Sequence, residues 1–300
     1  MTETRPPREK VRWEEMFRDE LLAAQAECPV AYLPMGLCEP HGPQNAVGLD
    51  AVKAHELCVR AAKAHGGVVA PPFFWQIHET GYHAPWADVW IGRENPFMTS
   101  LPPWVLLHVF LYQLRAVAAR GFRAAVVVTG HYGGNENDLR LVAEAFARRS
   151  ALRVWAGADW EVITHPRYRG DHAGACETSQ LWYLRPDLVD ISRLAPEEAG
   201  RHFFAAGGDA LESSRRLGKE IVEGQIASLG AKAGELLAAY EGDSPPAALS
   251  YDETEAIWRE ILDRRDEWVT LKLHPGQASS PEGSAWRTNE RPRWADESCR

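Results

Sequence analysis

The run Ala124-Ala125-Val126-Val127-Val128-Thr129, followed by Gly130-His131-Tyr132-Gly133-Gly134-Asn135, decides the fold. It is apolar almost throughout and shows no alternation, which suits a strand covered on both faces, the habit of a parallel sheet. The glycine-rich turn stops the strand, and Glu136 to Arg149 returns to helical spacing.

Outward from this strand the same alternation recurs. Upstream, Ser100 is expected to cap a helix with Pro102 and Pro103 in its first turn, ending at Arg120 before Gly121. Downstream, Leu152 to Ala156 reads as another strand, and Gly174 to Tyr183 as a helix. Nearer the start, Val30 to Leu37 suits a buried strand, Cys38 to Gly48 a loop, Asp50 to Ala64 a helix, and Val68 to Ala70 a short strand. Trp13 to Ala26 has helical spacing and stops at Pro29. Leu211 to Tyr240 carries one or two helices, with Gly224, Gly230 and Gly234 as weak points, and Tyr251 to Val269 a last one. Strands alternating with helices imply a three-layer α/β/α fold with a mostly parallel central sheet. Residues 13–270 are expected to form one domain, behind a mobile arm over 1–12. Residues 271–300 read as a polar tail that Trp286 and Trp294 anchor.

Residues 71–100 break the pattern. They are rich in aromatics, His and Pro, too long for a plain connector and too aromatic for disorder. His78, Glu79, Tyr82, His83, Trp86 and Trp90 join apolar bodies to polar tips, as a pocket for a small cyclic polar molecule requires. Packing of Trp86 and Trp90 at a subunit interface is the competing reading.

Bulk properties narrow the function classes. Of 300 residues, 45% are hydrophobic and 25% charged, and the formal net charge is -9. A net-negative chain without a basic stripe is a poor nucleic-acid binder. Five cysteines without a CxxC pair argue against a disulfide framework or zinc finger and suit the cytoplasm. No apolar stretch is long enough to span a membrane.

Glu39-Pro40-His41 and His131 both fall just past the carboxyl end of a strand, where open α/β sheets bind ligands. Residues i and i+2 of an extended chain share a face, so Glu39 and His41 stand side by side. Asp50 can fold back between them and bridge two cations with its two oxygens. Carboxylate and imidazole donors without thiolate suit Zn, Mn or Fe(II). A third segment, Asp171-His172-Ala173-Gly174-Ala175-Cys176-Glu177-Thr178-Ser179, opens a helix. There Glu177 is a candidate ligand, base, or carboxylate that favours the helix dipole.

In order and spacing, the three segments together resemble the creatininase (creatinine amidohydrolase) family. Glu39-Pro40-His41-Gly42-Pro43 with Leu49-Asp50 is similar to its Glu-Gln-His-Gly-Pro and Gly-Thr-Asp. Gly130-His131-Tyr132-Gly133-Gly134-Asn135 is similar to its Asn-Gly-His-Gly-Gly-Asn turn. His172-Ala173-Gly174 with Glu177-Thr178-Ser179 is similar to its His-Ala-Gly-x-x-Glu-Thr-Ser. The resemblance covers residues 28–240. It implies two divalent metal ions, with Glu39 on one, His41 on the other, Asp50 bridging and His131 completing a site.

Creatininase itself places a Glu ligand two residues after the turn His. That position is Gly133 here, so Glu177 is the candidate replacement. The implied reaction is attack of metal-bound hydroxide on the carbonyl of a small cyclic amide. Backbone N–H groups at Gly133-Gly134 would hold the oxyanion, and His172 would protonate the leaving group. Tyr132, Gly133 and Asp171 join the expected substrate wall. The alternatives are hydrolytic C–C opening of an inositol- or sugar-derived cyclic ketone, and a non-catalytic binding protein on the same scaffold. The resemblance also implies a homo-oligomer, with a hexamer among the options.

Overall fold

The computed structural model describes residues 9–92, 98–199, 203–281 and 284. Four strands, β1 (Val30–Met35), β2 (Val68–Val69), β3 (Ala124–Thr129) and β4 (Arg153–Ala158), form one parallel sheet in the order β2-β1-β3-β4. The helices are α1 (Arg18–Glu27), α2 (Leu49–His65), α3 (His83–Trp90), α4 (Pro103–Arg120), α5 (Asn135–Ala147), α6 (Ala175–Leu184), α7 (Pro196–Ala199), α8 (Arg215–Ala238) and α9 (Tyr251–Asp263).

Strand alternation sorts the core into two layers. Ala31, Leu33, Ala125 and Val127 face Phe110, Leu114, Val142, Phe146 and Ile257 of α4, α5 and α9. Val30, Tyr32, Val126 and Val128 face Leu57, Cys58, Val222 and Leu229 of α2 and α8. The continuous apolar runs follow from this double covering. Each fully buried Val or Leu contributes about 1.5–3 kcal/mol.

The chain passes from β1 to β2 on one side and returns to β3 on the other. The sheet therefore has its switch point at the β1–β3 pair, where such folds open a crevice. Met35 pairs with Thr129, which brings the two strand ends level. The start of α2 is seated on both ends. A Cβ on Gly36 would lie 2.7 Å from Ala51 N, and one on Gly130 2.2 Å from Asp50 O. Only glycine permits that approach.

Several expectations are corrected. The helix expected over Trp13 to Ala26 is a 3-10 turn (Trp13–Glu15) and then α1, because Met16 and Phe17 are extended. Ser100 does not cap α4; its Oγ accepts from the N–H groups of His78 (3.2 Å) and Glu79 (3.3 Å). The stretch after Leu211 holds one unbroken α8, and the expected weak point Gly230 is a close-packing position, where a Cβ would lie 2.3 Å from the His65 ring. Residues 71–100 contain α3, which the sequence did not announce. In the arm expected over 1–12, residues 1–8 lie outside the described residues, Val11 is buried, and Arg12 bridges Val69. Of the expected tail, Lys272, His274 and Gln277 grip the segment around Tyr82, through Tyr82 N–H to Lys272 O (2.9 Å), Gln277 to Tyr82 O (3.1 Å), and a ring stack of His274 on Tyr82. Trp286 and Trp294 lie outside the described residues. Among the described residues no helix is long and apolar enough to cross a membrane.

Candidate metal centre

Glu39 and His41 lie just past the end of β1, both fully buried, with His41 Nε2 3.8 Å from Glu39 Oε1. Asp50, in the first turn of α2, lies between the strand ends. One of its oxygens is 3.1 Å from His41 Nε2 and the other 3.2 Å from His131 Nδ1. His131 Nδ1 is also 2.9 Å from Glu39 Oε1. Asp50 thus stands between the two imidazoles, with one oxygen toward each.

The imidazoles share one arrangement. His41 Nδ1 meets Glu39 O (3.0 Å), His131 Nε2 meets Ile77 O (3.1 Å), and His172 Nε2 meets Pro40 O (2.9 Å). A carbonyl only accepts, so each of these nitrogens carries the hydrogen. The other nitrogen of each ring is aimed at carboxylates, protonated when the ring is charged and bare when it is neutral, as a metal ligand must be. A carbonyl partner behind a histidine is the usual way a metal ligand is oriented. Glu39 Oε1 and Oε2, His41 Nε2 and Asp50 Oδ2 find no hydrogen bond among the described residues. An orphaned buried polar atom costs about 1–3 kcal/mol, and a cation among them removes that cost. The donor set therefore fits divalent metal.

Electrostatics agree. Burial works against charge on His41 and His131, but the Asp50 and Glu39 carboxylates outweigh it and hold the rings at about 9 and about 10. Burial also opposes ionisation of Glu39, and His131 and His78 overcome it, keeping that carboxyl well below its ordinary range. The cluster demands positive charge, as protons or as metal.

Ligand atoms lie within 4.8 Å of one another in three groups: Glu39, His78 and His131; Glu39, His41 and His172; His41, Asp50 and Glu177. His78, expected in the substrate wall, has its Nε2 2.7 Å from Glu39 Oε2 and so also faces the carboxylate cluster. Glu177 opens α6 as expected. Its Oε2 accepts from Ala173 N–H (2.9 Å) and lies 3.8 Å from His41 Nε2.

The sequence reading missed what holds Glu177. Lys53, one turn past Asp50 on α2, is fully buried with Nζ 2.6 Å from Glu177 Oε1 and 3.3 Å from Asp159 Oδ2. Burial lowers its pKa, but these two carboxylates more than compensate and raise it well above the ordinary value. Asp159 also accepts from Tyr168 Oη at 2.8 Å. The signal was present, since Lys53 falls on the buried stripe of α2 with Ala54, Leu57, Cys58 and Ala61.

A cavity of about 390 Å³ opens over the cluster. His78, Tyr82, His83, Trp86, Tyr132, Gly133 and Asp171 line it, with His172, Glu136, Trp160 and Arg169. Glu79 does not: it sits in a bend that Thr80 pins to Thr270 O (2.7 Å), away from the cavity wall. Trp90, one-third exposed, is not in the wall either. Asp171 lines the cavity while its carboxylate caps α6, accepting from Cys176 and Glu177 N–H (2.9 and 3.2 Å). Burial and Glu177 push its pKa up to about 8. Gly133 has no room for a side chain, because a Cβ would lie 2.2 Å from Tyr82 Oη and 2.4 Å from His83 Nε2. The aromatic segment fills the space a turn Glu would need. Gly134 N–H donates to Glu136 Oε2 (3.2 Å), so the turn does not offer that group to an oxyanion.

The profile of the Creatininase family, described as creatinine amidohydrolase, matches residues 14–237. A creatinine amidohydrolase of Pseudomonas putida is 27% identical over 202 residues, covering 62% of this chain and 74% of its own length. A manganese creatininase structure superposes with a TM-score of 0.60 at 24% identity, over 76% of this chain and 98% of its own. A creatininase variant of the Zn–Zn type gives a TM-score of 0.61 at 24% identity with the same coverage. At that identity the structural likeness speaks to the fold. The profile spans well over half of the 300 residues, so the chain belongs to the creatininase family and is a hydrolase.

Proposed function

We propose that this hydrolase carries two divalent metal ions, Zn, Mn or Fe, and cleaves the C–N bond of a small cyclic polar amide. The observation that supports it best is the set of imidazoles that each give one ring N–H to a backbone carbonyl and turn the other nitrogen on Glu39, Asp50 or Glu177. Glu39 and His131 would hold one ion, His41 and Glu177 the other, and Asp50 would bridge them. Bound there, the ions supply Lewis acidity and an acidified water.

The protein's own groups do the rest. Lys53 holds Glu177 in place. His172 is the most exposed of the clustered imidazoles, its side chain 28% accessible against 6% or less for His41, His78 and His131. Its bare Nδ1 takes a proton and then delivers it to the leaving nitrogen. Trp86 and Trp160, with Tyr132, give the cavity flat apolar walls, which suit a planar amide better than a polyhydroxylated ketone. The reading extends to a homo-oligomer in the cytoplasm, and light scattering that returns one 33.5 kDa chain would end its oligomer part.

The test is metal content by mass spectrometry for the wild type and Asp50→Ala. Near two equivalents in the wild type, lost in the variant together with cyclic-amide hydrolysis, is expected. A wild type that takes up no metal after reconstitution overturns the proposal.

A further inference from the structure

We propose that Arg169 anchors a carboxylate on the substrate, so that the cyclic amide taken by this hydrolase carries an acidic group away from the bond that is cut. The proposal rests on the metal-hydrolase reading above and adds a substrate class to it.

Among the described residues, Arg169 is the only Lys or Arg that lines the cavity. The same lining holds five acidic residues, Glu39, Asp50, Glu136, Asp171 and Glu177. Yet no described residue forms an ion pair or hydrogen bond with the Arg169 guanidinium. Two residues earlier, Arg167 is engaged by Glu212 at 2.6 Å. The carboxylates of the wall are already committed elsewhere. Asp171 caps α6, Glu136 accepts from its own turn, Glu177 holds Lys53, and the other two face the imidazoles.

The base of Arg169 is fixed on both sides. Tyr168 is buried, and its hydroxyl donates to Asp159 at 2.8 Å. Gly170, at φ +88°, lies flat against Tyr132 and Trp160, where a Cβ would sit 3.4 and 3.5 Å from them. Asp171 N–H then donates to Tyr132 Oη at 3.0 Å. A side chain with an unpartnered planar fork thus stands on a fixed backbone at the edge of a site with aromatic walls. Such a base lowers the ordering cost of binding, and the fork matches a carboxylate bidentately. One guanidinium balances one negative charge. The start of α5, which would favour a phosphate, has its Gly134 N–H taken by Glu136.

The experiment compares pairs of cyclic amides that differ by one acid group, hydantoin-5-acetate against hydantoin and 5-oxoproline against 2-pyrrolidinone. Each is titrated calorimetrically into the metal-loaded full chain, and metal content is measured on the same samples. The acid of at least one pair is expected to bind tenfold or more tighter than its neutral partner. Arg169→Met and Arg169→Gln are expected to erase that preference while metal content and melting temperature stay unchanged. Absence of preference in both pairs, or a preference that survives in the variants, overturns the proposal. A chain that binds no metal overturns the hydrolase reading instead, and the metal assay separates the two failures.

Discussion

Two regions of the molecule build the cavity by different means. Glu39, His41, Asp50 and His131 stand on the ends of β1 and β3 and on the start of α2. In-register parallel pairing, and glycines at which an added Cβ would come within 3 Å of the α2 backbone, leave these positions little freedom. His78, Tyr82, His83 and Trp86 belong instead to the segment between β2 and α4. That segment is held by a few hydrogen bonds and one ring stack to residues 270–277, about 190 residues later in the chain. The comparison separates a rigid base that carries chemistry from a clamped wall that shapes recognition. The wall is expected to open at lower free energy than the base.

The largest effect that tests this contrast is on the base. Lys53→Met leaves Glu177 and Asp159 buried without their cation, and is expected to cost about 3–5 kcal/mol in denaturant unfolding. The metal on the His41 side should be lost with it. A stability within ~1 kcal/mol of wild type would make the network dispensable.

Next come the two histidines that meet Glu39 from the two regions. His131→Ala should abolish one metal equivalent, whereas His78→Ala should weaken it on the order of 10–100-fold, as loss of a supporting partner does. Equal losses in metal titration would put His78 on the same footing as His131 and blur the contrast.

A third prediction concerns residues 269–277, which clamp the wall. Asp138 on α5 accepts from Val269 N–H (2.7 Å) and Thr270 N–H (3.1 Å), and burial raises its pKa from the ordinary 3.8 to about 6. The folded state then holds this proton more tightly than the unfolded chain. The stabilisation is full below pH 3.8 and is lost as pH rises through 6. At about 1.4 kcal/mol per unit, the swing is on the order of 3 kcal/mol. Asp138→Asn should remove it, so the stability gap between variant and wild type should shrink from pH 4 to pH 7. A pH-independent gap would contradict the assignment.

The smallest global effect is expected from ending the chain at Leu271. Unfolding free energy should fall by about 1 kcal/mol or less, while amide exchange across residues 78–90 speeds up at least tenfold and exchange in β3 does not change. Uniform acceleration would show that wall and base open as one unit.

Much of the base was legible because local rules suffice there. A continuous apolar run names a doubly covered strand, and a polar residue just past its carboxyl end names the crevice, so Glu39, His41 and His131 could be singled out without coordinates. The wall was harder. The aromatic stretch after Pro72 pointed to a pocket, but α3 has a weak period, and Glu79 was placed in the wall although its bend is set by Thr80 and Thr270. Ser100 looked like a helix cap, and its hydroxyl serves the backbone of His78 and Glu79 instead. Lys53 lay in view on the buried stripe of α2, and was passed over because its partners are 106 and 124 residues away.

The sequence by itself determined the alternation of strands and helices, the parallel sheet and the identity of the principal donors, because periodicity, turn residues and motif spacing act over a few residues. Only the tertiary structure decided which nitrogen of each imidazole meets a backbone carbonyl, what replaces a side chain at Gly133, and where the cation behind Glu177 comes from. Those outcomes depend on backbone carbonyls, ring faces and buried charges that meet only after distant segments pack, and no local pattern encodes their distances.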